Sequence, residues 1–304
     1  MNNPVRIQKV LSDNGILSRR KAEDAIRQNR VSVNGHPAAL GQKIDPRQDH
    51  IALDGVPVAL QRKKNNVYIM LHKPRGYVTT TSDEMGRSCV TDLVDDAPAK
   101  VYPVGRLDKQ SEGLLLLTND GEFANQIMHP RSHVAKTYRV TVRGGVTEDQ
   151  LVQLATGVEV DGRVTLPASV HMISGEAQRS VIQLTLYEGR NRQVRKMCEA
   201  LKLTVARLKR ISVGPLKLGM LQPGKWRELT PAELVALRAS VQKSENRARQ
   251  EESFHTRGKP RGAPRRETPG ASVRRDGPRG TAARKDAPRA APGRELSRRD
   301  KGGR

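Results

Sequence analysis

The chain has 304 residues, which is enough for two ordinary domains and a tail. Its 55 lysine and arginine residues exceed its 32 acidic residues, and the net charge of +23 indicates a polyanionic partner such as nucleic acid. No apolar run of membrane-spanning length and no signal-peptide core is present, and Cys89 and Cys198 lack disulfide spacing, so a cytoplasmic protein without membrane contact is predicted.

The first predicted unit is a small module at residues 4–60. Apolar residues at helical spacing over 7–11 predict a first helix, and Ser18 is a predicted N-cap for a second. Short apolar strands then run into Asn-Gly and Asp-Gly turns at 31–35 and 51–55, which is typical of hairpins. Two helices followed by small hairpins are therefore expected.

Cations dominate the start of this module. The first 30 residues contain seven lysine or arginine residues against three acidic ones. A solvated helix face would also be charged, but this excess favours contact with nucleic acid. The candidate RNA-binding residues here are Arg19, Arg20, Lys21, Arg27 and Arg30.

A polar linker at 61–66 precedes a larger predicted domain at 67–243. The apolar run at 67–71 predicts a buried strand, and the alternating segments 136–143 and 180–187 predict half-buried strands. Strands and helices in this order favour an α+β fold with a mixed or antiparallel sheet. Helices are expected at 121–128, 147–155, 192–201 and 231 to about 243.

The last segment, residues 244–304, is rich in Arg, Gly, Pro, Ala and Ser and shows no periodicity. Such a composition cannot bury enough apolar surface to offset the entropy of ordering, so a disordered tail is predicted. The positive charge suits an electrostatic arm for the RNA backbone. The alternative is a dispensable extension. We expect the tail to contribute to RNA affinity and to be dispensable for catalysis.

The most informative stretch is 102–121. Leu114–Leu117 form a continuous apolar run that predicts a fully buried strand, and Asp120 with the glycine after it gives a turn signal. Asp108 precedes that strand and is flanked by cations, so its carboxylate is expected to stay ionised and available as a nucleophile or base. The alternative is an aspartate that only caps a turn.

Three motifs resemble the RsuA/RluB-type pseudouridine synthases that modify ribosomal RNA. They are GRLDKQSEGLLLLTNDG at 105–121, LHKPRGYVTTTSD at 71–83 and EGRNRQVRKMCEAL at 188–201. Residues 4–60 resemble the S4 domain, a small αL-like RNA-binding fold. The resemblance covers about residues 4–235 and implies an α+β enzyme that isomerises uridine in ribosomal RNA without a cofactor or metal.

The resemblance also implies roles for individual residues. Asp108 would act at the ribose C1′, by direct attack or by removing a ribose proton, and Arg195 would pair with it. Tyr138 would stack on the uracil with Val194 as the opposite wall, although core packing is an alternative for both. Arg106 would fill the gap left by the extracted base or contact phosphate.

The first motif contributes Lys73 and Arg75 at the rear of the expected cleft. Contact with RNA and a structural role are both open for them at this point. His129 and His133 are spaced like metal ligands on a helix, but Pro130 intervenes and no further ligand completes a set, so no metal site is predicted.

The motifs resemble the RluB branch most, which acts on large-subunit 23S RNA. A small-subunit 16S RNA enzyme and a non-catalytic S4-type assembly factor, acting on a pre-ribosomal particle, are the alternatives. No heptad or exposed repeat is present, so a monomer is predicted.

Overall fold

The computed structural model describes residues 4–60 and 65–257. Two short 3₁₀ turns occur at Val90–Leu93 and Pro130–Ser132. The helices are α1 Ile7–Asp13, α2 Arg19–Arg27, α3 Gly121–Met128, α4 Glu148–Thr156, α5 Gln193–Ala200 and α6 Pro231–Arg257. The strands are β1 Val5–Arg6, β2 Val31–Val33, β3 His36–Pro37, β4 Lys43–Ile44, β5 Ile51–Leu53, β6 Val56–Pro57, β7 Tyr68–Lys73, β8 Tyr102–Val104, β9 Glu112–Thr118, β10 Lys136–Arg143, β11 Glu159–Val160, β12 Arg163–Val164, β13 Ser169–Gly175, β14 Arg179–Leu186, β15 Thr204–Val213, β16 Leu216–Lys217 and β17 Trp226–Glu228.

The N-terminal module has the predicted helix, helix, hairpin order. Ser18 caps α2 by accepting a hydrogen bond from the Lys21 backbone N–H at 3.3 Å. Asn34 and Asp54 both have a φ of 52°, the left-handed conformation that Asn and Asp tolerate in tight hairpin turns. The strands pair in the antiparallel order β3-β2-β5-β6, and the module has an apolar core of its own.

The larger domain is built on a mixed sheet of nine strands, which agrees with the prediction of a mixed or antiparallel sheet. Its main path runs β13-β14-β10-β15-β9-β7-β17, with β16 on β15 and β8 on β9. Every pairing in it is antiparallel except β9 with β15, where Lys209 lies opposite Glu112 and Arg210 opposite Gly113. This short parallel contact joins the two halves of the sheet.

The four-leucine run lies at the centre of the sheet. Leu114–Leu117 are each at most 2% exposed, which confirms the prediction of a fully buried strand. Because side chains alternate along a strand, Leu114 and Leu116 enter one apolar core and Leu115 and Leu117 enter another. The first core also receives apolar residues of α3 and α6. Burial on both faces explains the unbroken apolar run.

The last helix is longer than predicted. It runs to Arg257, whereas the sequence reading ended it near 243. Residues 244–257 hold several strong helix formers and neither Gly nor Pro, so the helix continues until Gly258. Linker residues 61–64 and the remainder of the predicted tail, 258–304, lie outside the described residues. Within the described ranges, no helix is long and apolar enough to cross a bilayer.

Candidate active site

Asp108 lies on the loop between β8 and β9, and three contacts fix the backbone of that loop. Thr79 Oγ1 donates to the Leu107 carbonyl at 2.6 Å, and the Gly76 N–H donates to the Lys109 carbonyl at 2.8 Å. The Lys73 ammonium donates to the Asp108 carbonyl at 3.0 Å. The loop is therefore held by the last residue of β7 and by the segment that follows this strand, and the carboxylate is presented from a fixed backbone.

Two arginines flank the Asp108 carboxylate. Arg195 Nε and Arg192 Nη1 each lie 3.8 Å from Asp108 Oδ2, and the Asp108 side chain is 29% exposed. Arg195 is anchored by donating to the Gln110 carbonyl at 3.0 Å and to Ser111 Oγ at 3.4 Å. The structure thus brings together the predicted pair, at ion-pair distance and without a direct hydrogen bond between them.

The environment of Arg195 is dry and positively charged. Its side chain is 15% exposed, and its Nε has no hydrogen-bond partner among the described residues. Burial lowers the pKa of Arg195 below its usual value, the neighbouring Arg192 and Arg75 lower it further, and Asp108 opposes the shift. Asp108 therefore favours the charged form of Arg195 in a partly water-excluded cleft.

Arg192 was not singled out by the sequence reading. It precedes α5, three residues before Arg195, so the two guanidiniums can reach the same point. The helical spacing within the third motif was the signal that could have identified it. Thr79, which fixes the loop from the first motif, was also missed, because nothing local marks a threonine as a loop clamp.

Lys73 is not an RNA contact in this structure. It is fully buried, with 0% exposure, and donates to the carbonyls of Pro74, Asp108 and Ser111 at 2.8–3.0 Å. Its three donors match three acceptors, which explains how a lysine is accommodated in the interior. The predicted RNA-binding role is corrected to one of holding the Asp108 loop.

We expect Lys73→Met to reduce turnover much more than RNA binding. Methionine retains the apolar stem but leaves the Asp108 and Ser111 carbonyls without their shared donor, so the loop loses its fixed position. Misplacement of a reacting group by about 1 Å can cost about 100-fold in rate. Single-turnover rates and RNA dissociation constants would be compared with wild type, and an unchanged rate would contradict this positioning role.

Two of the remaining predicted site residues are partly or fully buried. Tyr138 on β10 is partly exposed, pairs opposite Leu184 and Arg210, and borders two apolar cores. Val194 is 4% exposed and packs in the core beneath α5, so it is a core residue rather than an open wall of the cleft. Stacking by Tyr138 stays a prediction.

The exposed arginines of the first two motifs differ in how they are held. Arg106 is exposed, and no hydrogen bond or ion pair within the described residues holds it. Arg75 is 40% exposed, donates to the Ala206 carbonyl at 3.0 Å and lies 3.5 Å from Glu112, which also accepts from Arg207 at 2.6 Å. Arg106 is thus free to meet RNA, and Arg75 is partly engaged by the protein.

The cations of the N-terminal module fall into two groups. Arg19, Arg20 and Lys21 are exposed on α2, and Arg19 borders a cleft of about 420 Å³. Arg27 pairs with an acid one turn away, and Arg30 binds Asp54 through two hydrogen bonds of 2.7 Å. The first group has the more available charge for a polyanion.

Lys136 on β10 is partly buried, and it has one carbonyl acceptor where Lys73 has three. It donates to the Val134 carbonyl at 3.0 Å. Burial, with a smaller contribution from the cation of Arg210, lowers the pKa of Lys136 to about 8. Because the unfolded chain binds this proton more tightly, the charged lysine reduces the free energy of unfolding below pH 8.

We expect Lys136→Met to be more stable than wild type at pH 7, by about 2 kcal/mol, because it removes a partly buried and poorly compensated charge. The difference should shrink as the pH rises from about 8 towards 10.5, where the wild-type lysine is neutral in both states. Urea unfolding at pH 7 and pH 9.5 measures this. Lys217→Met, at an exposed position on β16, is the control and should show no such trend.

Comparison with known proteins places this arrangement in a family. Residues 67–200 match the RNA pseudouridylate synthase family, and residues 5–51 match the S4 domain family. An RNA pseudouridine synthase of Aquifex aeolicus is 44% identical over 78% of this chain and 95% of its own length. Ribosomal large subunit pseudouridine synthase B of Bacillus subtilis is 43% identical over 79% and 98%, respectively.

A solved structure supports the same assignment. A crystal structure of a pseudouridylate synthase superimposes with a TM-score of 0.56 at 32% identity, covering 77% of this chain and 99% of the other. An S4 module joined to a mixed-sheet domain with a clamped loop aspartate defines an RNA-modifying isomerase of two domains. The chain belongs to the S4-containing RNA pseudouridine synthase family.

The described residues contain no group of three or more His, Cys, Asp or Glu side chains that could hold a metal ion. Cys89 and Cys198 are both buried free thiols. Burial raises the pKa of Cys198 to about 12, so this thiol stays protonated beside Arg195.

Proposed function

We propose that this enzyme isomerises a specific uridine of large-subunit 23S ribosomal RNA, with Asp108 as the catalytic residue. The observation that carries the proposal is the Asp108 carboxylate on its clamped loop, with the Arg192 and Arg195 guanidiniums each at 3.8 Å. The similarity to the Bacillus subtilis large-subunit enzyme supports the choice of RNA.

The reaction needs one ionised carboxylate at the ribose. Asp108 acts at C1′, by attack or by taking a ribose proton, while the bond from C1′ to uracil N1 breaks. The base then turns, a bond from C1′ to C5 forms, and Asp108 returns to its free carboxylate form. C5 loses a proton to solvent and N1 gains one, so the composition of the nucleotide is unchanged and the net change is an isomerisation.

Arg195 is placed to stabilise the negative charge of the Asp108 carboxylate before it reacts. Its guanidinium is anchored on Gln110 and Ser111, so it does not need to move as the substrate enters. A fixed cation in a low-dielectric cleft stabilises the carboxylate at no cost of reorganisation. Its loss would leave the carboxylate less well compensated and the loop less well held.

Base extraction and docking use residues away from the carboxylate. Arg106 is exposed on the same loop as Asp108, where it can enter the RNA once the uridine leaves its stack. Tyr138 supplies a ring for the extracted base. Arg19, Arg20 and Lys21 contact phosphates of folded RNA from the exposed face of α2 and position the substrate without reading sequence.

The test uses ribosomal RNA labelled with tritium at uridine C5, because isomerisation releases that label into water. Large-subunit and small-subunit transcripts are tested separately with wild type and with Asp108→Asn. We expect release only by wild type and only from the large-subunit RNA. Release from the small-subunit RNA alone would contradict the 23S target, and release by the Asn variant would contradict the role of Asp108.

A further inference from the structure

Arg192 combines an unfavourable backbone with an unanchored charge. Its φ and ψ are 50° and 31°, the left-handed region that non-glycine residues adopt infrequently, and it forms the N-cap of α5 without a side-chain cap. Its side chain is 49% exposed, and its guanidinium forms no hydrogen bond with any described residue. Such a conformation persists only where the surrounding structure fixes it.

The charges around Asp108 do not balance without a further anion. Arg195 and Arg192 approach the same oxygen, Oδ2, at equal distance, yet only Arg195 is buried and anchored. One guanidinium suffices for one carboxylate. The Arg192 charge is half open to solvent, where an ion pair at 3.8 Å contributes little, so it remains available to a second anion.

RNA supplies that anion at the required place. A nucleotide whose C1′ lies at Asp108 carries a phosphodiester on each side of its ribose, within the reach of a side chain already beside the carboxylate. A guanidinium binds phosphate oxygens in a bidentate manner and stays charged at all relevant pH values. Arg192 meets both needs, since it is exposed and sits 3.8 Å from Asp108 Oδ2.

We propose that Arg192 is a substrate-positioning residue that binds a phosphate flanking the target uridine and thereby sets C1′ against Asp108. This inference rests on the proposed role of Asp108 at C1′. It differs from the role of Arg195, which is turned inward onto the loop carbonyl of Gln110. The two arginines thus have different roles, because Arg195 holds the carboxylate and Arg192 holds the RNA.

The experiment compares Arg192→Gln and Arg192→Lys with wild type and with Lys202→Gln. Lys202 is a matched control because it is exposed, follows the other end of α5 and also has a left-handed φ, of 60°. RNA dissociation constants are measured over a range of salt concentrations. KM and kcat come from tritium release under single- and multiple-turnover conditions, and circular dichroism checks that each variant is folded.

Arg192→Gln should raise KM and the dissociation constant about tenfold, with kcat changed much less. Its salt slope should fall by about 0.7, the loss of one phosphate contact on single-stranded RNA. Arg192→Lys should retain the slope but recover only part of the affinity, because an ammonium lacks the bidentate geometry. Lys202→Gln should behave as wild type.

An Arg192→Gln variant with wild-type affinity and salt slope would overturn the proposal. A lower kcat with a shifted pH profile would then show that Arg192 acts through Asp108. Asp108→Asn is measured alongside. If that variant retains turnover, the proposed catalytic role fails, whereas the binding data for Arg192 still decide whether it contacts phosphate.

Discussion

Replacing Asp108 with Asn is expected to lower kcat by about 10⁴-fold or more, because the amide can neither attack C1′ nor take a ribose proton. The substitution removes little else. Lys73 contacts the backbone carbonyl of Asp108, and Arg195 is anchored on Gln110 and Ser111, so these contacts survive in the variant. Single-turnover tritium release measures the effect.

Measuring RNA binding distinguishes a variant that lacks only the catalytic group from one in which the Asp108 loop has collapsed. Removing one negative charge from a basic cleft should leave the RNA dissociation constant unchanged or lower it. Asp95→Asn is the matched control, since Asp95 is an exposed turn residue outside the cleft, and it should turn over at the wild-type rate. If the Asp108→Asn variant fails to bind RNA, its loss of turnover would be explained by a collapsed loop and not by the missing catalytic group.

Gly113→Ala is expected to lower the free energy of unfolding by more than about 4 kcal/mol or to prevent folding. Gly113 lies in β9 where that strand meets β15, with a φ of 111°. A Cβ atom there would lie 2.2 Å from the Arg210 carbonyl oxygen and 2.6 Å from its nitrogen. Both obstacles are backbone atoms of a central strand, so neither can move without separating the two halves of the sheet.

Substitutions at Gly144 and Gly145 distinguish the effect of the steric clash at Gly113 from the effect of its backbone conformation. Gly144 has a φ of 83° with nothing within 4 Å of an added Cβ, so Gly144→Ala should cost about 1 kcal/mol. Gly145 has the same open space without that φ, and Gly145→Ala should be within about 0.5 kcal/mol of wild type. Urea unfolding followed by the fluorescence of Trp226, on β17 of the same sheet, measures all three. Equal losses for the three variants would contradict the steric argument.

Local patterns in the sequence were sufficient to predict most helices and strands of the larger domain. The strand at 136–143 and the helix at 121–128 occupy the predicted residues, because their apolar residues recur with the period of one secondary structure. The buried strand at 114–117 followed from an unbroken apolar run. The predicted end of α6 is wrong by about 14 residues, because composition alone predicts disorder where helix formers continue to Arg257.

The sequence predicts some residues of the candidate site correctly and misses others, because their positions depend on tertiary contacts. Asp108 and Arg195 lie together as the resemblance implied, at 3.8 Å. The sequence leaves RNA contact and a structural role both open for Lys73, and its enclosure by three carbonyls supports the structural role. Val194 belongs to the core. Arg192 was passed over, although it lies as close to the carboxylate as Arg195 does.

The sequence by itself determined the local elements, the excess of positive charge and the loop aspartate between cations, because each is a property of neighbouring residues. Only the tertiary structure decided what each cation does. Lys73 is fully buried, Lys136 is partly buried, Arg195 is anchored inward, and Arg192 is left half exposed. The burial and the partners of a cation depend on strands and helices that are distant in sequence, such as β7 and α5 at the Asp108 loop. A pattern of neighbouring residues does not predict those contacts.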